Sequence, residues 1–351
     1  MTIQFTIPVP DDMHLHFRQG AMLKTVVPHT AAQFRRAVVM PNTMPPISSA
    51  KQASDYRDEI LKAVPEGVHF EPLMVLYLSK KLTPAMIEEA AKHPFIKAVK
   101  LYPFGVTTNS QDGIKDLSEV SDTLKAIEDN GLLFLMHGED SNPQTDVFDR
   151  EKVFYQDILP GIVKKYPHLK MVCEHITTRI AADFIKSSSN NIGATITPQH
   201  LSVDRNAMLG NGMNPHLYCK PILKRSEDLK ALTDLVLNNH PRVFAGTDSA
   251  PHAKHKKESD CGCAGVYSAC NAIELYAEAF DKAGDLEKPE TQKCFTDFMA
   301  RSGAAFYGIG INDDYVTIEK SPTTVSEGFE VEGDEILKPW RAGEEIGWSV
   351  K

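Results

Sequence analysis

The chain has 351 residues, of which 42% are hydrophobic and 24% are charged, as in ordinary globular proteins. Its formal net charge of −9 at pH 7 argues against a nucleic-acid surface, because such surfaces need clustered Lys and Arg. The N-terminus lacks a basic segment followed by an apolar stretch, and no apolar run is long enough to span a bilayer. We therefore expect neither a signal peptide nor a membrane partner. The 6 cysteines indicate free thiols in a reducing compartment, which predicts a cytoplasmic protein.

Short apolar or β-branched runs alternate along the chain with longer segments of helical periodicity. The eight predicted strands are residues 3–7, 37–40, 73–78, 96–101, 132–136, 170–173, 193–197 and 242–246. Among the predicted helices, 49–64 and 226–239 each open on a Ser, which we expect to cap the helix. This alternation predicts βα units, and eight strands fit a closed (β/α)8 TIM barrel. An open doubly wound sheet is the alternative, but the first turn lacks its glycine-rich pattern.

No repeat or linker divides the chain, so residues 1–351 are predicted to form a single domain. After Gly308 the pattern changes to short alternating runs, such as "YVTIEK" and "EEIGWSV". This change predicts a small C-terminal extension with short strands, covering about 308–351, that is too small to be an independent domain.

Metal-binding side chains recur after the predicted strands. The segment "DDMHLHFRQG" follows the first strand, and similar residues close or follow the fourth, fifth, sixth and eighth strands. The candidate metal ligands are His14, His16, Lys100, His137, His175 and Asp248. Because active sites of barrels lie at the C-terminal ends of the strands, we expect these side chains to converge.

The types of these residues predict a two-metal site. Side chains alternate along an extended segment, so His14 and His16 point to the same side. Imidazoles and a carboxylate suit zinc-like ions, and four His with one Asp exceed the needs of a single catalytic zinc. Lys100 would repel metals as an ammonium, whereas its carbamate, formed with CO2, would be a bridging anion.

Several motifs occur in an order that resembles a known family. They include "PDDMHLHFRQG", "VMPNTMPP", "AVKLYP", "MHGE", "CEHITT" and "GTDSAPHAKHKKESDCGCAG", and they run from Pro10 to Gly265. In these motifs the chain resembles the shorter, bacterial type of dihydroorotase, in the amidohydrolase superfamily. The resemblance implies a homodimeric binuclear zinc barrel with a small-molecule substrate. Enzymes of this family interconvert (S)-dihydroorotate and N-carbamoyl-L-aspartate, the third step of de novo pyrimidine synthesis.

The resemblance also implies a role for each metal ligand. His14, His16 and Asp248 would hold one of the two zinc ions of each subunit. The other zinc would be held by His137 and His175, and carboxylated Lys100 would bridge both ions. A hydroxide between the metals would attack the ring amide, while Asp248 acts as general base and then as general acid.

The substrate-binding residues are likewise implied by the resemblance. Arg18, Asn42 and His252 would bind the substrate carboxylate, near His137. Backbone groups at Lys220 and Ala264 would contact the ring, although position 220 is apolar in the family. Thr107 and Thr108 would lie on a mobile lid, and the small polar residues of "FGVTTNSQDG" suit such a loop.

Two alternative functions remain to be weighed from the sequence. A hydantoinase or allantoinase would share the metal ligands, but a carboxylate clamp would not serve an uncharged ring. An inactive scaffold barrel is disfavoured because all six ligand positions are present. Cys261 and Cys263 form a C-x-C pair without a second pair at zinc-finger spacing, so we predict no metal there.

Overall fold

The computed structural model describes residues 3–260, 262–333 and 335–351. The strands are β1 Gln4–Pro8, β2 Asp11–Leu15, β3 Arg36–Val39, β4 Glu71–Tyr77, β5 Ile96–Leu101, β6 Leu133–His137, β7 Met171–Glu174, β8 Ile192–Ile196, β9 Val243–Ala245, β10 Tyr315–Glu319, β11 Thr323–Thr324, β12 Phe329–Val331, β13 Glu335–Leu337, β14 Glu345–Ile346 and β15 Ser349–Val350. The helices are α1 Gly20–Gln33, α2 Ala50–Ala63, α3 Pro84–Ala90, α4 Ser121–Asp129, α5 Arg150–Val153, α6 Leu159–Lys165, α7 Arg179–Ser187, α8 Pro198–Ser202, α9 Asn206–Leu209, α10 Ser226–Leu237, α11 Lys254–Lys257, α12 Ala272–Gly284, α13 Pro289–Thr296 and α14 Ser302–Tyr307. Single 3₁₀ turns cover Leu117–Val120, Pro215–Leu217 and Ala269–Asn271, and π-helical turns cover Phe154–Ile158 and Asp297–Arg301.

The central sheet contains eight parallel strands, β2 to β9, paired in chain order. Backbone hydrogen bonds continue from the last strand to the first: the Asp248 N–H donates to His14 O at 2.8 Å, and the His16 N–H donates to Ser249 O at 3.0 Å. Apolar side chains fill the interior, including Val75 and Phe244, and Phe306 of α14 packs into the same cluster. The predicted (β/α)8 barrel is confirmed.

The predicted first strand of the barrel is wrong. Residues 3–7 lie in β1, which pairs antiparallel with β10 outside the barrel, and β10 also pairs with β15. The first barrel strand is β2, which includes His14, so the H-x-H motif begins within a strand and not after one. Apolar runs do not predict this strand, because several of its residues are polar. Burial of these residues is compensated by partners, since Asp11 forms an ion pair with Arg36 at 2.7 Å.

The two predicted serine caps have different outcomes. Ser49 caps α2, because its side chain accepts a hydrogen bond from the Gln52 N–H. The second prediction is wrong, since Ser226 is already the first residue of α10. There the Asp228 carboxylate accepts a hydrogen bond from the Arg225 N–H at 3.3 Å. An acidic residue in the first turn thus accepts a hydrogen bond from a free N–H. Its negative charge also interacts favourably with the partial positive charge at the N-terminus of the helix.

The residues after Gly308 contribute the short strands β10 to β15, which pair in three small antiparallel sheets, one of them including β1. Trp340 from this segment packs in an apolar cluster with Leu217 and Cys219, which belong to the loop between β8 and β9. The Trp340 N–H also donates to Tyr267 O at 2.8 Å. The segment therefore supports loops at the mouth of the barrel. Within the described part of the chain, every helix is too short or too polar to cross a membrane.

Candidate metal centre and substrate pocket

His14, His16 and Asp248 converge at the carboxyl ends of β2 and β9. One possible ligand atom from each of the three lies within 4.8 Å of the others, and all three residues are largely buried. The Asp248 Oδ1 atom lies 3.0 Å from His16 Nε2 and 3.5 Å from His14 Nε2. These distances leave the three side chains directed at one point, as a cation site requires.

The hydrogen bonding of His16 shows why a cation fits this point. Its Nδ1–H donates to Asn42 Oδ1 at 2.8 Å, so Nε2 presents a lone pair. Burial lowers the pKa of His16 to about 4, so the ring is neutral at pH 7. The lone pair then faces a carboxylate oxygen at 3.0 Å. Two acceptors this close repel each other unless a proton or metal ion lies between them.

The electrostatics of the group also favour a cation. Burial raises the pKa of the Asp248 carboxyl, but the adjacent His14 and His16 rings outweigh burial and hold that pKa well below its usual range. Burial lowers the pKa of His14, but the neighbouring Glu174 and Asp248 carboxylates produce a net rise. A position that raises the pKa of an imidazole stabilises positive charge.

His137, His175 and Lys100 adjoin this group. The His175 ring centroid lies 5.0 Å from that of His14 and 4.8 Å from that of His137. Burial lowers the pKa of Lys100 to about 8, and its amino group has no hydrogen-bond partner among the described residues. An unpartnered buried amine is costly unless another group completes the site. The structure thus brings all six candidate metal ligands together.

In three of the four imidazoles, one ring nitrogen forms a hydrogen bond with a second polar side chain. The pairs are His14 Nδ1 with Glu174 Oε2 at 2.8 Å, His16 Nδ1 with Asn42 Oδ1 at 2.8 Å, and His137 Nε2 with Glu139 Oε2 at 2.6 Å. Such bonds fix the tautomer and leave the other ring nitrogen free to bind a metal. Sequence analysis missed both glutamates, although each lies within two residues of a predicted ligand, in "CEH" and "HGE".

The backbone is strained at three of the site residues. Arg18, His175 and Asp248 have φ values of 63°, 41° and 46°, in the left-handed region that favours glycine. Each such residue costs on the order of 1–3 kcal/mol, and such strain clusters at functional sites. Here it aims the three side chains into the barrel mouth.

A small cavity, with a volume of about 20 Å³, lies over these residues. It is lined by His14, His16, Arg18, Asn42, Tyr102, Thr107, Thr108, His137, His175, Lys220, Asp248, Ala250, Ala264 and Gly265. All predicted substrate-binding residues except His252 thus line one cavity. Tyr102, Ala250 and Gly265 were not predicted as site residues, although they lie in the motifs "AVKLYP" and "GTDSAPHAKHKKESDCGCAG".

His252 lies beside this cavity and contacts its wall. Its Nε2 atom is 3.0 Å from Arg18 Nη2 and 3.0 Å from Ala264 O. One ring nitrogen cannot accept a hydrogen bond from Arg18 and donate one to Ala264 O at the same time, so the two contacts compete. The Arg18 Nε–H also donates to Pro251 O at 3.1 Å, which leaves part of its guanidinium available to a carboxylate.

The predicted lid contacts the site through Asn42 and Lys220. The Asn42 amide donates to Thr108 O at 3.1 Å, while its oxygen accepts from His16. The Lys220 ammonium donates to Val106 O at 2.5 Å, so its side chain lies against the lid and does not point away from the cavity. The lid segment is therefore hydrogen-bonded to residues on both sides of the cavity.

The described cysteines are free thiols, as predicted. Of these, Cys263 is half-buried. Cys261 lies outside the described residues, so the prediction for the C-x-C pair stays a prediction.

The sequence profile of the amidohydrolase family matches residues 7–309. A dihydroorotase of Alkalilimnicola ehrlichii is 49% identical over 347 residues, covering 99% of each chain. This chain belongs to the amidohydrolase family, among its dihydroorotases. A dihydroorotase from Campylobacter jejuni has a similar structure, with 34% identity, a TM-score of 0.89 and coverage of 100% of this chain and 98% of that one.

Two further structures separate this dihydroorotase-family chain from the alternatives. Dihydroorotase from Saccharomyces cerevisiae, in complex with 5-fluoroorotic acid, is 31% identical with a TM-score of 0.89, covering 99% of this chain and 98% of that one. An L-hydantoinase from Arthrobacter aurescens is only 13% identical, with a TM-score of 0.78 over 99% of this chain and 83% of that one. The hydantoinase shares the fold alone. The assignment to dihydroorotases, which are hydrolases of cyclic amides, is therefore confirmed.

Proposed function

We propose that this chain catalyses the reversible hydrolysis of the cyclic amide of (S)-dihydroorotate to N-carbamoyl-L-aspartate, the third step of de novo pyrimidine synthesis. The observation that supports this most strongly is the convergence of His14, His16 and Asp248 on one point beside a cavity that also contains Arg18. The yeast relative is described in complex with 5-fluoroorotic acid, a ring carboxylic acid of similar size. A cavity with a guanidinium at one side suits such an anion.

We propose further that the site holds two zinc ions. His14, His16 and Asp248 would bind one ion, His137 and His175 would bind the other, and carboxylated Lys100 would bridge them. The buried, unpartnered amino group of Lys100 and the facing acceptors of His16 and Asp248 fit this arrangement. When bound, such ions polarise a carbonyl oxygen and lower the pKa of water.

Asp248 is proposed to move the proton of the reaction. Its low pKa keeps it a carboxylate at neutral pH, so it can accept a proton from the attacking water. It then returns this proton to the ring nitrogen that leaves when the amide C–N bond breaks. The strained backbone of Asp248 and the two imidazoles beside it hold the carboxylate in place during both transfers.

The remaining residues are proposed to bind and orient the substrate. Arg18, Asn42 and His252 bind its carboxylate, and Arg18 does so with two parallel hydrogen bonds that Lys could not form. Backbone groups at Lys220 and Ala264 contact the ring, next to His137. The hydroxyls of Thr107 and Thr108 close the cavity and exclude water.

The larger organisation is also part of this proposal. We propose that residues 1–351 act as one unit, with about 308–351 as an extension. The active form would be a homodimer in the cytoplasm, without nucleic-acid or membrane partners. Light scattering of the purified chain measures its oligomeric state directly, and a monomeric active enzyme would contradict the dimer.

One experiment tests the central proposal. Metal content and turnover of dihydroorotate, hydantoin and allantoin are measured on the same preparation. About two zinc ions per chain and a preference for dihydroorotate are the expected results. A greater rate on hydantoin or allantoin would overturn the substrate assignment. A preparation without metal, and inactive after addition of zinc and bicarbonate, would indicate a scaffold protein.

A further inference from the structure

Lys257 differs from the other lysines of its short helix. Lys254 and Lys256 are exposed and form ion pairs with Glu258 and Glu335. Lys257 is only 3% exposed. No described carboxylate lies within ion-pair distance of it. The segment "HAKHKKE" is basic along its length, but one of its lysines points inward.

The Lys257 ammonium is fully satisfied by the backbone. It donates hydrogen bonds to Tyr218 O at 2.9 Å, Cys263 O at 2.8 Å and Gly265 O at 2.6 Å. An ammonium has three N–H donors, so each donor has an acceptor. Burial lowers the pKa of Lys257 to about 8, and the charged form therefore still predominates at pH 7. A buried charge is tolerated only when its hydrogen bonds are made in this way.

These bonds join two segments that border the substrate cavity. Tyr218 lies two residues before Lys220, and Cys263 and Gly265 flank Ala264 on both sides. The Gly265 N–H also donates to Tyr218 O at 2.9 Å, which adds a direct bond between the segments. Lys257 is thus bound to both stretches of backbone that the proposed function assigns to the substrate ring.

The hydrogen bonds from Lys257 determine which way the backbone groups of Ala264 point. The carbonyls of Cys263 and Gly265 both point at Lys257, and backbone groups of neighbouring residues alternate in direction along an extended segment. The backbone groups of Ala264 therefore face the opposite side, where Ala264 lines the cavity and its carbonyl contacts His252. Among the described residues, Lys257 alone donates hydrogen bonds to these two carbonyls.

The segment also has little room to shift. A Cβ atom added at Gly265 would lie 2.6 Å from Ala250 O and 3.0 Å from His252 Cδ2. The backbone at Gly265 therefore packs directly against the residues that surround His252. A small displacement of this segment would be transmitted to both the ring contact and the carboxylate contact.

We propose that Lys257 is a positioning residue for substrate binding, which holds the backbone of Ala264 against the substrate ring from outside the cavity. This inference rests on the proposed function, because the ring contact at Ala264 belongs to it. Lys257 does not touch the substrate. It acts by fixing the two backbone segments that do.

The test compares Lys257→Met, Lys257→Gln and Lys257→Arg with the wild-type holoenzyme, and Lys256→Met serves as the exposed control on the same helix. For each protein, KM and kcat for dihydroorotate are measured per bound zinc, together with the dissociation constant of 5-fluoroorotate. Methionine matches lysine in length but donates no hydrogen bond. We expect Lys257→Met to raise KM and the dissociation constant by about 10–100-fold, with a smaller change in kcat. Lys256→Met should match the wild type.

The order of the variants distinguishes positioning from space filling. Lys257→Arg keeps the charge and N–H donors, so it should restore part of the substrate affinity. If the side chain only filled space, Lys257→Met would bind substrate more tightly than Lys257→Arg. Lys257→Gln is the milder variant, and it decides the question if Lys257→Met fails to fold. Wild-type KM and 5-fluoroorotate affinity in a folded Met or Gln variant would overturn the inference. A wild-type protein that does not hydrolyse dihydroorotate would instead overturn the proposed function.

Discussion

The amino group of Lys100 is buried at the end of β5 without a hydrogen-bond partner among the described residues. We predict that Lys100→Ala lowers turnover of dihydroorotate about 100-fold or more, because the proposed bridging anion is lost. Acetate or propionate should restore part of the rate by occupying its place. Lys97→Ala is the matched control, since residues 97 and 100 face opposite sides of the strand. Full activity of Lys100→Ala without added acid would refute the bridge.

Glu174 illustrates a residue that acts through another. Its Oε2 atom accepts hydrogen bonds from His14 Nδ1 at 2.8 Å and from Thr195 Oγ1 at 2.6 Å. We predict that Glu174→Gln lowers zinc affinity about 10–100-fold, because the neutral amide holds the His14 tautomer less firmly. Competition with a chelator measures this affinity without a turnover assay. Glu151→Gln removes an equally buried carboxylate that hydrogen-bonds Thr177, and it should leave zinc affinity unchanged. Equal affinities in the two variants would show that Glu174 has no such role.

At the scale of elements, the predicted lid is hydrogen-bonded to the rest of the barrel through Asn42 and Lys220. Asn42 contacts both His16 and Thr108, so the position of the lid is coupled to a predicted metal ligand. We predict that the double variant Thr107→Ala and Thr108→Ala lowers kcat/KM about tenfold or more, because substrate is no longer enclosed, while zinc content stays normal. Ser118→Ala, exposed and outside the lid, is the control. Unchanged rates in the double variant would remove the lid role.

For the molecule as a whole, stability should depend on pH through Glu274. This residue lies in α12 and is 5% exposed, and burial raises the pKa of its carboxyl from 4.5 to about 7. Between these values the folded state holds a proton that the unfolded state has released, so stability falls as pH rises through this window. The pKa difference corresponds to about 3 kcal/mol in the free energy of unfolding, and this contribution is fully lost above the pKa of the folded state.

We therefore predict that Glu274→Gln, which cannot ionise, becomes increasingly more stable than the wild type as the pH rises from about 5 to about 8. Urea unfolding at several pH values measures the difference in the free energy of unfolding. Glu290→Gln on the neighbouring helix α13 changes an exposed carboxylate, and it should show no such trend. A constant difference between Glu274→Gln and the wild type across this range would contradict the assignment.

Much of this protein could be predicted from its sequence, because apolar periodicity and residue type are local properties. Seven of the eight barrel strands follow from apolar runs, and four candidate ligands follow from their places at the ends of those strands: Lys100, His137, His175 and Asp248. His14 and His16 were found by their spacing, although the strand before them was wrong. The exception is β2, whose polar residues are buried against partners such as Arg36 and Thr247. An apolar pattern cannot show a strand that is stabilised by ion pairs and hydrogen bonds.

The order of the strands and the chemical types at their ends were therefore determined by the sequence alone. Only the tertiary structure decided which polar groups support them: Glu174 lies 160 residues from His14 along the chain, and Lys257 contacts carbonyls on two separate loops. Such pairs leave no local signal, because a hydrogen bond depends on distance and direction in space. The folding of the chain into a closed barrel creates both.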